Sequence, residues 1–308
     1  MAPTALVVSH TSIVVPYALA VLLSLFLYRE LAPVGITFLA FALFMGIAMS
    51  ITAFPVLARI LMDRRIAKTH LGTTAITCAA VGDVTAWTIL ALVVAIVSGR
   101  GPAASLITVG FTALFVAVMV CGVRPVLLRL FETSHRSEAP GSTAMAGVLV
   151  LILASALMPR GPAVRRALTE RIGELSSVFL LPVFFAFMGL RTEIGLLGDV
   201  RSWLLCLLLI LVATAGKLGA SMVAARLTSF DWIDSFALGA LMNTRGLIEL
   251  IALNVGYDLG ILSRPMFTMM VLMAVVTTLA TAPLLSLADV LRRRRSAHGL
   301  EGFAPAQD

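Results

Sequence analysis

The sequence predicts an all-α polytopic membrane protein, and three observations carry that expectation. Sixty per cent of the 308 residues are hydrophobic and only 13% are charged, whereas a soluble domain is nearer half apolar and a quarter charged. Apolar runs long enough to cross a bilayer, which takes about 20 helical residues, recur from end to end and leave no room for a soluble domain. The alternation expected of barrel strands is absent, and an isolated span must satisfy its own backbone hydrogen bonds, so the spans are helices.

In chain order the apolar segments fall near residues 6–28, 34–61, 71–98, 104–123, 144–158, 175–190, 202–225, 233–254 and 266–290. The first lacks a basic start and runs at once into another apolar segment, so it reads as a span and not as a cleaved leader. Segment 144–158 is short for a full crossing and 175–190 is marginal. This divides the chain into a transmembrane domain, 1–291, and a basic tail, 292–308.

A net charge of +7 and a pI near 10.1 would suggest a nucleic-acid partner in a soluble protein. Here the Lys and Arg residues sit in short loops, where they fix topology, and no nucleic-acid role is expected. The run Arg292–Arg295 marks a cytoplasmic C-terminal end of a multi-pass inner-membrane protein. Arg226, the stretch Arg160, Arg165, Arg166 and Arg171, the loop Arg64, Arg65 and Lys68, and the loop Arg124, Arg129 and Arg136 belong on that same side. Arg100, Arg191 and Arg201 with Glu193 and Asp199, and Arg264 with Asp258, belong on the other. The two halves agree only if an even number of crossings separates Arg136 from Arg160, and the sequence offers one short segment. Segment 144–158 is therefore re-entrant, or a helix is missing there.

Cys78, Cys121 and Cys206 lie in or beside apolar segments without metal-site spacing and read as small buried hydrophobes. No nucleophile–histidine pairing or metal cluster is present, and His10, His70, His135 and His298 lie at chain or segment ends, where they are expected to be solvated. An enzyme and a cofactor are both unexpected.

A charge at the bilayer centre costs at least about 2.5 kcal/mol and marks function by default. Asp83 lies in the otherwise apolar or hydroxylated stretch Thr74–Ala95, Lys217 in Leu204–Val223, and Arg245 and Glu249 in segment 233–254. Each has a structural alternative, since an acid and a base can simply pair to hold two helices together. Two segments also carry helix-breaking sequences: Thr52-Ala53-Phe54-Pro55, where Pro55 cannot donate to the helix ladder, and Asn243-Thr244-Arg245-Gly246. A proline kink and a packing glycine would account for them. Paired interrupted helices, one per half of a transporter, point instead to a central ion site. The first break precedes the Asp83 helix and the second follows the Lys217 helix, so an inverted repeat would gather all four elements at the midplane. A carboxylate such as Asp83 binds either a proton or a dehydrated cation, and Lys217 is its expected charge partner.

The stretch Ser50-Ile51-Thr52-Ala53-Phe54-Pro55-Val56-Leu57-Ala58-Arg59-Ile60-Leu61 resembles a signature of the monovalent cation:proton antiporter-2 family, most closely its branch of bacterial and plant cation/proton exchangers. Gly82-Asp83-Val84-Thr85-Ala86-Trp87, Leu181-Pro182-Val183-Phe184-Phe185 with Gly189-Leu190, Gly216-Lys217, and Leu241-Met242-Asn243-Thr244-Arg245-Gly246-Leu247-Ile248-Glu249-Leu250 follow in the family's order. The resemblance implies an antiporter fold with inverted repeats, two crossing broken helices and a second, dimer-forming domain. It implies sodium or potassium exchanged for protons, no cofactor, and a homodimer in the bilayer. It places Asp83 on the ion-binding aspartate, Lys217 on the basic residue of the opposing helix, and Thr52, Asn243 and Arg245 on the unwound crossings. Asp83 and Thr52 are then the transient alkali-cation ligands.

Three departures accompany it. Gly82 stands where some relatives carry a second acid. The family has further helices before the segment at which Met1 begins. A Gly-Ala-Phe-like stretch is missing before Met158-Pro159-Arg160, where the loop charges also disagree. The chain is thus expected to be N-terminally short and internally deleted. A non-transporting remnant or interaction subunit is the alternative to an exchanger, and a channel lacks the continuous polar path it needs.

Overall fold

The computed structural model describes residues 2–97, 110, 181–228 and 230–301. The chain divides into two compact units, one of residues 1–99 with 188–308 and one of residues 100–187. The expected segments 104–123 and 144–158, Cys121, His135, the basic stretches at 124–136 and 160–171, and the stretch before Met158 lie outside the described residues, Gly110 apart.

Ten helices are described: α1 (Ala2–Leu31), α2 (Phe38–Ser50), α3 (Phe54–Asp63), α4 (His70–Val97), α5 (Leu181–Arg191), α6 (Val200–Thr214), α7 (Ala220–Leu227), α8 (Trp232–Met242), α9 (Leu247–Asp258) and α10 (Arg264–Glu301). A π-helical turn, Ala215–Gly219, joins α6 to α7. Among the described residues five helices or helix pairs are long and apolar enough to cross a membrane, and the bent pair α8–α9 makes a sixth. No strand occurs among them. The chain is an all-α polytopic membrane protein.

α2 is the axis of the larger unit. Thr37 caps its start by accepting the Ala40 N–H at 3.2 Å. Its residues are buried almost all round from Ala40 to Ser50, the mark of a helix enclosed by others. α1, α4 and α9 pack against it. Tyr17 of α1 meets α2 at Gly46, where a Cβ would come within 2.7 Å of the ring.

Pro55 explains why α2 stops where it does. In a continuous helix its ring would press on the carbonyl of Ile51, four residues back. The chain turns extended at Ile51 and resumes as α3 with Pro55 in the first turn, where a missing N–H costs nothing. The interruption is therefore Ile51–Ala53, and Pro55 begins the second half-helix. The other break is Asn243–Gly246. α8 starts on an Asp231 cap, which accepts the Asp234 N–H at 2.8 Å, and α9 leaves at 43° to it.

α10 runs unbroken through the basic run Arg292–Arg295 to Glu301, and one expectation changes. His10 does not sit at a segment end: it lies within α1, exposed on the helix surface, with Nδ1 2.8 Å from the Leu6 carbonyl. His70 opens α4, and its ring stacks near Phe230 with centroids 5.0 Å apart. Cys78 and Cys206 are buried free thiols, as apolar packing requires.

Candidate ion site at two broken helices

The two breaks hold each other. Ala53 N–H donates to the Thr244 carbonyl at 3.0 Å, and Thr52 Oγ1 donates to the Met242 carbonyl at 3.3 Å. A helix end leaves its last carbonyls without intrahelical donors. At α8 these are taken by the partner break and by Thr244, whose Oγ1 donates to the Leu241 carbonyl at 2.8 Å. Gly246 makes the close approach possible, since a Cβ there would fall 2.7 Å from Val56 Cγ2.

The carbonyls at the end of α2 meet two buried cations. Arg245 Nη1 donates to the Ala48 carbonyl at 3.2 Å and Nη2 to the Met49 carbonyl at 2.7 Å. Lys217 Nζ donates to the next carbonyl, Ser50, and over 3.5 Å to that of Ser12 in α1. Both side chains are fully buried. Positive charge at a helix C-terminus is favoured by the helix dipole, and in a membrane it also replaces the water that would solvate those carbonyls. Glu249, in the first turn of α9, balances Arg245 through a 2.9 Å ion pair buried on both sides.

Lys217 is therefore not paired with Asp83. None of the ion pairs among the described residues joins them, and the ammonium spends its hydrogen bonds on carbonyls instead. Asp83 lies half-buried on α4, with Trp87 one turn on beside its carboxyl group and Oδ1 without a hydrogen-bond partner. α1 links the two groups. A Cβ at Gly82 would lie 3.5 Å from Ser9 Oγ and 3.9 Å from Ile13 Cδ1, one helical turn from the Ser12 carbonyl that Lys217 reaches. Ser9 is fully buried and its hydroxyl lacks a partner. Asn243, between the half-helices, is also fully buried, with neither amide atom bonded. Buried polar groups of this kind are rare and ask for a ligand or a water.

Residue-type reasoning missed three participants. Ser50 contributes its carbonyl to Lys217, while its hydroxyl lies 2.6 Å from the Gly46 carbonyl and 3.1 Å from that of Ile13. Ser12 supplies the other carbonyl. Thr278 of α10 accepts the Arg245 N–H at 3.0 Å and sets its hydroxyl 2.8 Å from both the Arg245 and the Ala274 carbonyls, pinning the unwound backbone. The adjacent hydroxyls Thr277, Thr278 and Thr281 in an apolar helix were the available signal.

The sodium/hydrogen exchanger family, described as transmembrane, matches residues 1–161 and again 146–287. A Na(+)/H(+) antiporter of Synechocystis is 37% identical over 300 residues, covering 91% of this chain and 73% of the relative. Cation/H(+) antiporter 19 of Arabidopsis thaliana is 35% identical over 82% of this chain. K(+)/H(+) antiporter 1 of Saccharomyces cerevisiae is 30% identical over 92% of it. The chain spans about a third of the length of these plant and yeast relatives, 34% and 36%. With both stretches matched and two of the ordered motifs forming the mutually bonded broken helices, the chain belongs to the transmembrane sodium/hydrogen exchanger family.

Proposed function

We propose that the protein exchanges a monovalent cation, sodium or potassium, for protons across the inner membrane, with the Asp83 carboxylate binding the two in turn. The observation that carries this reading is the buried crossing, where the carbonyls of Ala48, Met49 and Ser50 face Arg245 and Lys217 while Asn243, two residues before Arg245, is buried and unbonded. Unwound backbone and opposed half-helix ends are the means by which transporters stabilise a dehydrated ion. Asp83 supplies the titratable carboxylate, Thr52 and Asn243 the neutral oxygens, and Lys217 with Arg245 the basic groups. Because proton and cation compete for one carboxylate, the apparent KM for the cation rises as the pH falls. The relatives named as sodium/proton and potassium/proton antiporters support the reaction class.

The same reading has the protein act as a homodimer, with the Arg292 end of α10 in the cytoplasm. The test is cation-triggered dequenching of a pH dye in everted vesicles. The wild-type protein is expected to give a signal and Asp83→Asn none. Equal signals from both would remove Asp83 from the mechanism. Runs with sodium, potassium and lithium assign the ion.

A second reading is a remnant that keeps the fold without exchange. It draws on the internal shortening expected near residue 158, and the two family matches overlap over residues 146–161, at that same place. A wild-type protein that inserts and folds but gives no signal with any cation would favour it.

A further inference from the structure

Pro16 lies buried in the interior of α1, where a helix has no use for it. A proline inside a helix donates no N–H and crowds the carbonyl four residues back. Here that carbonyl belongs to Ser12, the one that Lys217 Nζ reaches at 3.5 Å. One residue on, the Ile13 carbonyl lies 3.1 Å from the Ser50 hydroxyl, which also reaches the Gly46 carbonyl at 2.6 Å, and the Ser50 carbonyl is the other acceptor of Lys217.

A second observation places the Lys217 turn on the proline. A Cβ at Gly216 would meet Leu19 Cδ1 at 2.8 Å and Pro16 Cα at 3.5 Å. The π-helical turn therefore lies directly against α1 at this point, with the glycine granting the approach and the lysine next to it aimed at the exposed carbonyl. π-turns of this kind are frequent at functional sites.

We propose that Pro16 is a positioning residue of the ion site: by withholding an N–H from Ser12, it leaves that carbonyl to hold the Lys217 ammonium against the end of α2. With alanine at this position the helix ladder closes, the Ser12 carbonyl turns back to the backbone, and Lys217 loses its acceptor in α1. The importance of this for exchange rests on the function proposed above, whereas the bond itself does not.

A stability cycle separates positioning from a simple kink. Thermal unfolding of the purified full chain is compared for the wild type, Pro16→Ala, Lys217→Met and the double variant. Alanine is a far better helix former than proline, so Pro16→Ala is expected to raise Tm in the Lys217→Met background. With Lys217 present the gain is expected to be smaller by several degrees, or reversed, because a buried ammonium loses an acceptor. Equal gains in both backgrounds would overturn the proposal. Pro16→Gly, which restores the N–H with the least added bulk, repeats the cycle if the alanine variant does not fold.

In the dye assay Pro16→Ala is expected to lose about tenfold in exchange rate, the scale of one hydrogen bond to a charged group. A rate equal to wild type overturns the positioning role. A wild-type protein without signal counts against the proposed function alone, and the stability cycle still decides Pro16.

Discussion

Thr278 shows how much one hydroxyl does at the broken helices. Arg245 is buried, its own backbone is unwound, and its N–H and carbonyl have no ladder to join; Thr278 Oγ1 accepts the N–H at 3.0 Å and shares its proton between the Arg245 and Ala274 carbonyls, each at 2.8 Å. Thr278→Val keeps the shape and removes the partner, so the N–H is left dry. A loss of about 1–3 kcal/mol is expected, read as a fall in Tm, with Thr278→Ser close to wild type. A valine variant as stable as the serine one would show that the Arg245 backbone finds another partner. The guanidinium is held more redundantly, by the Ala48 and Met49 carbonyls and by Glu249.

Glycine separates the elements that must touch from those that need not. α8 crosses the π-helical turn at Gly239, where a Cβ would stand 2.6 Å from the Leu218 carbonyl, a backbone atom that cannot step aside. Gly239→Ala is expected to destabilise by about 1–3 kcal/mol, the usual cost of overpacking. Gly219, the residue after Leu218 in that same π-helical turn, has nothing within 4 Å of its Cβ position. Gly219→Ala is expected to be neutral or to stabilise by up to about 1 kcal/mol through helix propensity. Thermal melts of the two variants in one detergent give the comparison, and equal losses would show that the α8 crossing relaxes more than its backbone contact implies.

Across the whole larger unit, six of the ion pairs among the described residues gather toward the two ends of α10. Arg64 meets Asp289 at 3.0 Å, Arg292 meets Asp289 and Asp234, and Arg295 meets Asp231. At the other end Arg191 meets Asp258 at 2.8 Å and Arg264 meets Glu193 at 3.4 Å. The loop charges predicted the same grouping: Arg64 with the Arg292 run, and Arg191, Glu193, Asp258 and Arg264 together on the opposite side. Exposed pairs add little stability singly, so their value is in joining the outer ends of α3, α8 and α10. In a chain without its native cysteines, Arg65→Cys and Arg226→Cys are expected to react with a membrane-impermeant maleimide from the cytoplasmic face only. Glu193→Cys is expected to react from the opposite face only. Labelling of all three from one face would refute the assignment.

The sequence alone determined what depends on neighbours along the chain: which segments are apolar enough to span, which loops share a side, and where a helix must break. Pro55 and Gly246 act within a turn of themselves, so both interruptions were legible, as were the charges set in apolar segments, Asp83, Lys217, Arg245 and Glu249. The family order of the motifs came from the same residues. What Lys217 touches was decided by tertiary structure alone. Its acceptors lie 167 and 205 residues away and are backbone carbonyls, which every residue carries and no residue type announces. The same holds for Thr278 with Arg245. A carbonyl becomes a site only when a break, a proline or a helix end frees it and packing brings a donor to it, and only the folded chain supplies both.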